Sequence, residues 1–215
     1  MKNLFLEGPS GCGKTSLIIS ALGSDIRRAG GFATVRLKQQ DGTLAGFRVI
    51  RASQMQSPDE LYRDGTENVF LRFEPDAFTQ TKHSCSEPEG SSPRRRVERN
   101  EQTFIQFATR VLNESSNAPY LVMDEFGGLE LTDAVFADLL KNAIASDTPI
   151  IGVIKSRANA LKMQKNVGLG GDFSETYDAF RDYVEKTDSV IVNPAECGSE
   201  QVLQLIETWK RDNLS

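Results

Sequence analysis

An α/β fold with three layers, helices on both sides of a mainly parallel central sheet, is what this sequence predicts. Three observations point there. Short apolar runs recur along the chain and alternate with stretches of helical periodicity. A glycine-rich loop, Gly8 to Thr15, joins the first apolar run to the first helical stretch. A later apolar run, Tyr120-Leu121-Val122-Met123, closes on two acids, Asp124-Glu125. In a parallel sheet ligands gather at the carboxyl ends of the strands, and Gly8 and Asp124 both fall at such ends.

The elements follow in order. Leu4-Phe5-Leu6 reads as a buried strand, and Leu17, Ile18, Ala21 and Leu22 place a helix after Lys14 that Gly30-Gly31 is expected to stop. Phe32 to Leu37 and Leu44 to Ile50 flank the turn signal Asp41-Gly42 and read as a hairpin. Val69 to Phe73 is a further strand. From Glu74 to Glu98 the chain carries Pro75, Pro88, Pro93, Gly90, several serines and Arg94-Arg95-Arg96, the composition of a long surface loop that is mobile without a ligand. Phe104, Ile105, Phe107, Ala108, Val111 and Leu112 mark an amphipathic helix. After the strand ending at Asp124-Glu125 come a helix from about Asp133 to Ser146 and the strand Ile150 to Ile154. Residues 156 to 173 are ambiguous, with Gly168, Gly170 and Gly171 suggesting a loop. Thr176 to Val184 reads as helix, Ser189 to Val192 as strand and Glu200 to Arg211 as the closing helix. One domain over residues 1–215, with a flexible insertion at about 74–98, is the expected organisation.

Composition narrows the function classes. With 39% hydrophobic and 26% charged residues the chain is of ordinary globular type, and its net charge of −5 and pI of about 5.1 give no general attraction to nucleic acid or anionic membrane. No apolar run reaches the roughly 20 residues of a membrane helix. Leu4-Phe5-Leu6 passes directly into the glycine-rich loop, so no secretory signal is expected. Cys12, Cys85 and Cys197 are widely spaced and odd in number, which fits neither a zinc site nor a disulfide framework and suits a reducing cytoplasm.

The glycine-rich loop carries the chemistry. Gly8-Pro9-Ser10-Gly11-Cys12-Gly13-Lys14-Thr15 matches G-x-x-x-x-G-K-[ST] in full. Its glycines let the backbone curl so that N–H groups converge on phosphate oxygens, and the following helix adds its N-terminal N–H groups and dipole, through Ser16. Lys14 is placed to reach the β- and γ-phosphates, and the Thr15 hydroxyl to ligate Mg²⁺. A nucleoside triphosphate is thus the expected ligand. Cys12 lies near a helix N-terminus, a setting that lowers thiol pKa values, but no second cysteine stands nearby to resolve an oxidised one. At the acidic strand end Asp124 is the candidate Mg²⁺ ligand, and Glu125 the candidate base for an attacking water.

The longer run Asp124-Glu125-Phe126-Gly127-Gly128-Leu129-Glu130-Leu131 resembles the D-E-[IF]-G-K-[ML]-E-L signature of the THEP1-type nucleoside-triphosphatases. Gly31-Phe32-Ala33-Thr34 with Gly46-Phe47 resembles that family's glycine–phenylalanine hairpin, and Lys155-Ser156-Arg157 after the strand from Pro149 to Ile154 matches its strand ending in basic residues. The resemblance covers most of the chain and is weakest from Glu74 to Glu98 and after Arg157. It implies a RecA-like P-loop core and slow, Mg²⁺-dependent hydrolysis of ATP, GTP and other NTPs to NDP and phosphate. The chain departs from the family at Gly128, where a lysine is usual. That charge is either lost or replaced, by Arg157 or by Arg94–Arg96 folding over the site, while the arginine triplet otherwise reads as a solvated loop segment. Two other functions fit the same motifs: a nucleotide or small-molecule kinase with residues 74–98 as lid, and a nucleotide-gated interaction module.

Overall fold

The computed structural model describes residues 1–39, 41–55, 67–73, 97–167 and 172–214. Eight strands form one sheet: β1 (Asn3–Leu6), β2 (Gly30–Lys38), β3 (Leu44–Arg51), β4 (Val69–Phe73), β5 (Val97–Arg99), β6 (Leu121–Phe126), β7 (Ile150–Ile154) and β8 (Ser189–Val192). Among the described residues seven α-helices accompany them: α1 (Lys14–Leu22), α2 (Glu101–Glu114), α3 (Ala134–Ala145), α4 (Arg157–Val167), α5 (Asp172–Lys186), α6 (Pro194–Cys197) and α7 (Ser199–Asn213).

The strand order is β5-β4-β3-β2-β6-β7-β1-β8. Pairing is parallel from β2 through β6, β7 and β1 to β8, and antiparallel from β2 out to β5. The fold is therefore α/β with a mainly parallel sheet, as expected, extended on one side by an antiparallel ribbon. The apolar runs are continuous because both faces of the parallel strands are covered. Leu4 and Leu6 enter one core with Ile18, Val122, Val153, Ile206 and Trp209, under α1 and α7. Phe5, between them, points the other way and joins Phe32, Phe104, Phe126, Phe136 and Phe180, under α2, α3 and α5. Burial of a large apolar side chain contributes about 1.5–3 kcal/mol, and these two layers clamp the sheet that carries the site.

Several boundaries differ from the sequence reading. Helix α1 ends at Gly23, which adopts φ +53, and the chain passes through a 3-10 turn, Gly23–Arg28, rather than running helically to Gly30. Gly30 and Gly31 instead open β2. Gly31 has φ +87, and a Cβ there would lie 2.2 Å from the Val122 carbonyl oxygen, so glycine permits the close pairing of β2 with β6. Residues 97 and 98 belong to β5, whereas the sequence reading left them in the surface loop. The rest of that loop, residues 74–96 with Arg94–Arg96, lies outside the described residues. The segment from 157 to 167 is helical, although its glycine-rich sequel suggested a loop; residues 168–171 are outside the described set. Among the described residues no helix is long and apolar enough to cross a membrane.

Candidate nucleotide site

The phosphate-loop residues, Gly8 to Thr15, bridge β1 and α1 at the carboxyl edge of the sheet. Helices α2 and α3 have their first turns capped by side chains, Asn100 accepting from the Thr103 N–H and Asp133 from the Phe136 N–H. Helix α1 has no such cap; Gly13 precedes it with φ +83, and no acid stands in its first turn. Its N-terminal N–H groups and dipole thus face the cleft without a side-chain acceptor. Ser10, Gly11, Gly13, Lys14, Thr15 and Ser16 line that cleft, whose volume is about 510 Å³. Gly8, Pro9 and Cys12 are not part of that lining. The buried Lys14 ammonium donates to the carbonyls of Gly8 (3.1 Å) and Pro9 (2.7 Å) and contacts Cys12 Sγ (3.6 Å). Gly8 has φ +133, and a Cβ there would meet Asn193 Oδ1 at 2.6 Å.

Neighbouring elements hold the loop. Glu7, just before it, receives two hydrogen bonds from the Arg181 guanidinium of α5, at 2.6 and 3.2 Å. Asn159 of α4 donates to the Gly8 carbonyl at 3.2 Å, and Arg36 of β2 donates to Ser10 Oγ at 3.0 Å.

The acidic strand end meets the loop directly. Thr15 Oγ1 donates to Asp124 Oδ1 at 3.0 Å across 109 residues of sequence. Asp124 is buried, and its Oδ2 has no hydrogen-bond partner among the described residues. Burial, followed by the adjacent Glu125 charge, pushes its pKa up to about 7, against the opposing pull of the Thr15 hydroxyl and Lys155. A buried carboxylate with a free oxygen beside a threonine hydroxyl is the donor set of a hard divalent cation such as Mg²⁺, which takes few protein ligands and completes its shell with phosphate and water. Among the described residues no cluster of three or more His, Cys, Asp or Glu forms a closed metal cage.

Glu125 is set by a bulge. Asp124 pairs with Val153 and Phe126 with Ile154, so Glu125 is skipped in the β6–β7 register and takes φ +64. In a regular strand its side chain would leave on the face opposite Asp124. The bulge brings both carboxylates to the same cleft. Lys155, which follows β7, donates to the Glu125 carbonyl oxygen and holds its ammonium 3.8 Å from Glu125 Oε2. The Lys155 carbonyl is itself held by the Tyr177 hydroxyl at 2.6 Å.

Of the two candidates for replacing the missing family lysine, Arg94–Arg96 lie outside the described residues. A Cβ on Gly128 would lie 3.1 Å from Lys155 Cδ and 2.9 Å from both Glu130 Oε2 and Met163 Cε. The aliphatic stem of Lys155 therefore lies in the space a residue-128 side chain would enter. Arg157 does not line the cleft. Its guanidinium makes a forked, exposed pair with Asp178 at 2.8 Å for each contact. The buried Glu130 stabilises the turn by accepting the Gly128 N–H at 2.8 Å. Sequence reasoning missed Arg36 and Asn159, and it named Lys155 only as part of a strand ending in basic residues, without a role in the site. Only Lys155 carried a usable signal, its place just beyond a buried parallel strand, the rule that singled out Gly8 and Asp124.

A family model described as NTPase matches residues 3–169 of the chain. No curated protein and no solved structure matches it.

Proposed function

The chain belongs to this NTPase family, in keeping with its THEP1-type resemblance, and from that premise we propose that it is a Mg²⁺-dependent nucleoside triphosphatase releasing NDP and phosphate. The observation that carries the proposal is the Thr15–Asp124 contact of 3.0 Å with Asp124 Oδ2 left unpartnered. It joins the phosphate loop to a metal-binding carboxylate.

In this reading the N–H groups of Gly8, Pro-flanked Ser10, Gly11, Cys12, Gly13, Lys14, Thr15 and Ser16 cradle the phosphates, with Pro9 shaping the loop. Lys14 exchanges its loop carbonyls for β- and γ-phosphate oxygens. Thr15 and Asp124 would hold Mg²⁺, which would supply charge neutralisation at those oxygens. Glu125 orients a water against the γ-phosphorus and accepts its proton. The new P–O bond forms from that water as the bond to the bridging oxygen breaks and NDP leaves with the electron pair. The free thiols Cys12 and Cys197 suit a cytoplasmic setting.

Glu125→Gln tests the assignment. It keeps size and a hydrogen-bonding carbonyl but removes the basic oxygen. Mg²⁺-NTP affinity is expected to stay within about twofold while turnover falls at least about a hundredfold. Phosphate release at the parent rate would remove Glu125 as the base and favour a kinase or a nucleotide-gated module.

A further inference from the structure

We propose that the half of the cleft remote from the phosphate loop is a second ligand site, built for a small molecule that joins a flat apolar ring to an anionic group. The inference rests on the phosphate-loop reading, because that reading fixes which end of the nucleotide faces this space. A γ-phosphate sharing a cation with Asp124 points toward β6. Beyond β6 the sheet continues into β2, β3 and β4. The cleft continues with it, over Thr34 and Arg36 to Leu44, Phe47, Phe70, Leu71 and Phe73. The nucleoside leaves from the opposite end of the triphosphate, so it does not account for this lobe.

The wall of the lobe has the wrong chemistry for water alone. Phe47 stands 6.4 Å from Phe70 and 6.2 Å from Phe73, centroid to centroid, and Phe70 packs edge-on to Phe104 at 5.2 Å. All four rings line the cleft, and Phe47, Phe70 and Phe73 are only partly buried. A row of ring faces and edges favours a flat ring in offset or edge-to-face contact. Hydrolysis needs room for one water beside the γ-phosphate. The cleft's volume of about 510 Å³ is shared between the phosphate-loop half and this lobe, and the lobe has the makeup of organic-ligand sites, apolar walls with a few polar anchors.

The anchors here are cationic. Arg36 stands between Ser10 and the aromatic row, and Arg99, opposite Leu71 in the β4–β5 ladder, closes the far side with Glu101 beside it. Arg99 is partly buried and lines the cleft. A guanidinium so placed favours a carboxylate or phosphate on its ligand, bound through two parallel hydrogen bonds.

The test uses the full chain loaded with Mg²⁺ and a non-hydrolysable NTP analogue, so that anions cannot enter the phosphate loop. Phenyl phosphate is titrated by calorimetry, with inorganic phosphate and benzyl alcohol as the arms lacking ring or charge. Phenyl phosphate is expected to bind with one-to-one stoichiometry, about tenfold or more tighter than either. Phe47→Ala and, independently, Arg99→Gln are each expected to weaken it about tenfold while the analogue's affinity stays within about twofold. Phenyl phosphate binding no tighter than inorganic phosphate overturns the proposal, as does binding unchanged in both variants. Failure of the analogue to bind the parent protein removes the premise instead, and is seen before any probe is added.

Discussion

Replacing Lys155 with methionine isolates the contribution of a cation that acts on Glu125. The ammonium lies 3.8 Å from Glu125 Oε2, and the two side chains are 16% and 32% exposed. At an effective dielectric constant of about 20, unit charges at that distance attract by about 4 kcal/mol before desolvation. Dehydrating both groups and residual screening offset much of this. The hydrogen bond from the same ammonium to the Glu125 carbonyl oxygen adds a charge-assisted contact worth about 1.5–3 kcal/mol. Glu125 also holds φ +64, a left-handed conformation that costs a non-glycine residue about 1 kcal/mol or more and persists only under outside restraint. Lys155→Met keeps the aliphatic bulk beside Gly128 and Met163 but removes every one of these restraints. Turnover is expected to fall by about 10- to 100-fold, equivalent to about 1.4–2.8 kcal/mol of barrier, with NTP affinity within about twofold. The assay is steady-state phosphate release on four proteins: parent, Lys155→Met, Glu125→Gln and the double variant. A residue that works by positioning Glu125 loses its effect once Glu125 is disabled, so the double variant is expected within about threefold of Glu125→Gln. Equal losses in both backgrounds would refute positioning and make Lys155 a direct phosphate contact.

Three further outcomes follow from the same geometry. Lys14→Ala removes the only side-chain cation of the phosphate loop, and titration with a fluorescent NTP analogue is expected to show roughly tenfold to more than hundredfold weaker binding; unchanged affinity in the folded variant would remove Lys14 from the site. Asp124→Asn relieves a buried, half-unsatisfied carboxylate beside another acid, so at about pH 8 the nucleotide-free protein is expected to gain about 1–2 kcal/mol, or roughly 2–8 °C in Tm, while its Mg²⁺ dependence of hydrolysis weakens; a lower Tm contradicts the assigned strain. Gly31→Ala would set a Cβ 2.2 Å from the Val122 carbonyl oxygen at φ +87 and is expected to cost about 3 kcal/mol or more in urea unfolding, whereas a loss under about 1 kcal/mol would show that β2 and β6 separate easily.

The sequence by itself determined the layers and the phosphate loop, because both are local patterns. Leu4, Phe5 and Leu6 had to sit on alternating faces of a doubly covered strand, and Phe104, Ile105, Phe107, Ala108, Val111 and Leu112 had to form one buried face of α2. The G-x-x-x-x-G-K-[ST] spacing likewise needs only its own backbone to curl around an anion. Helix α4 was less legible because glycines follow it closely, and the 3-10 turn after Gly23 because apolar Ile26 continued the helical spacing. Tertiary structure alone decided how the acids, the cations and the loop meet. Asp124 reaches Thr15 only because β6 lies one strand from β7 and two from β1. Glu125 joins Asp124 in the cleft only because a residue is skipped against β7, a register event that no spacing in β6 encodes. Arg157 and Lys155 are two residues apart and both cationic, yet one pairs with Asp178 on α5 and the other with Glu125. Which charge enters a site depends on the partners that folding places within a few ångströms, and those partners lie tens of residues away in the chain.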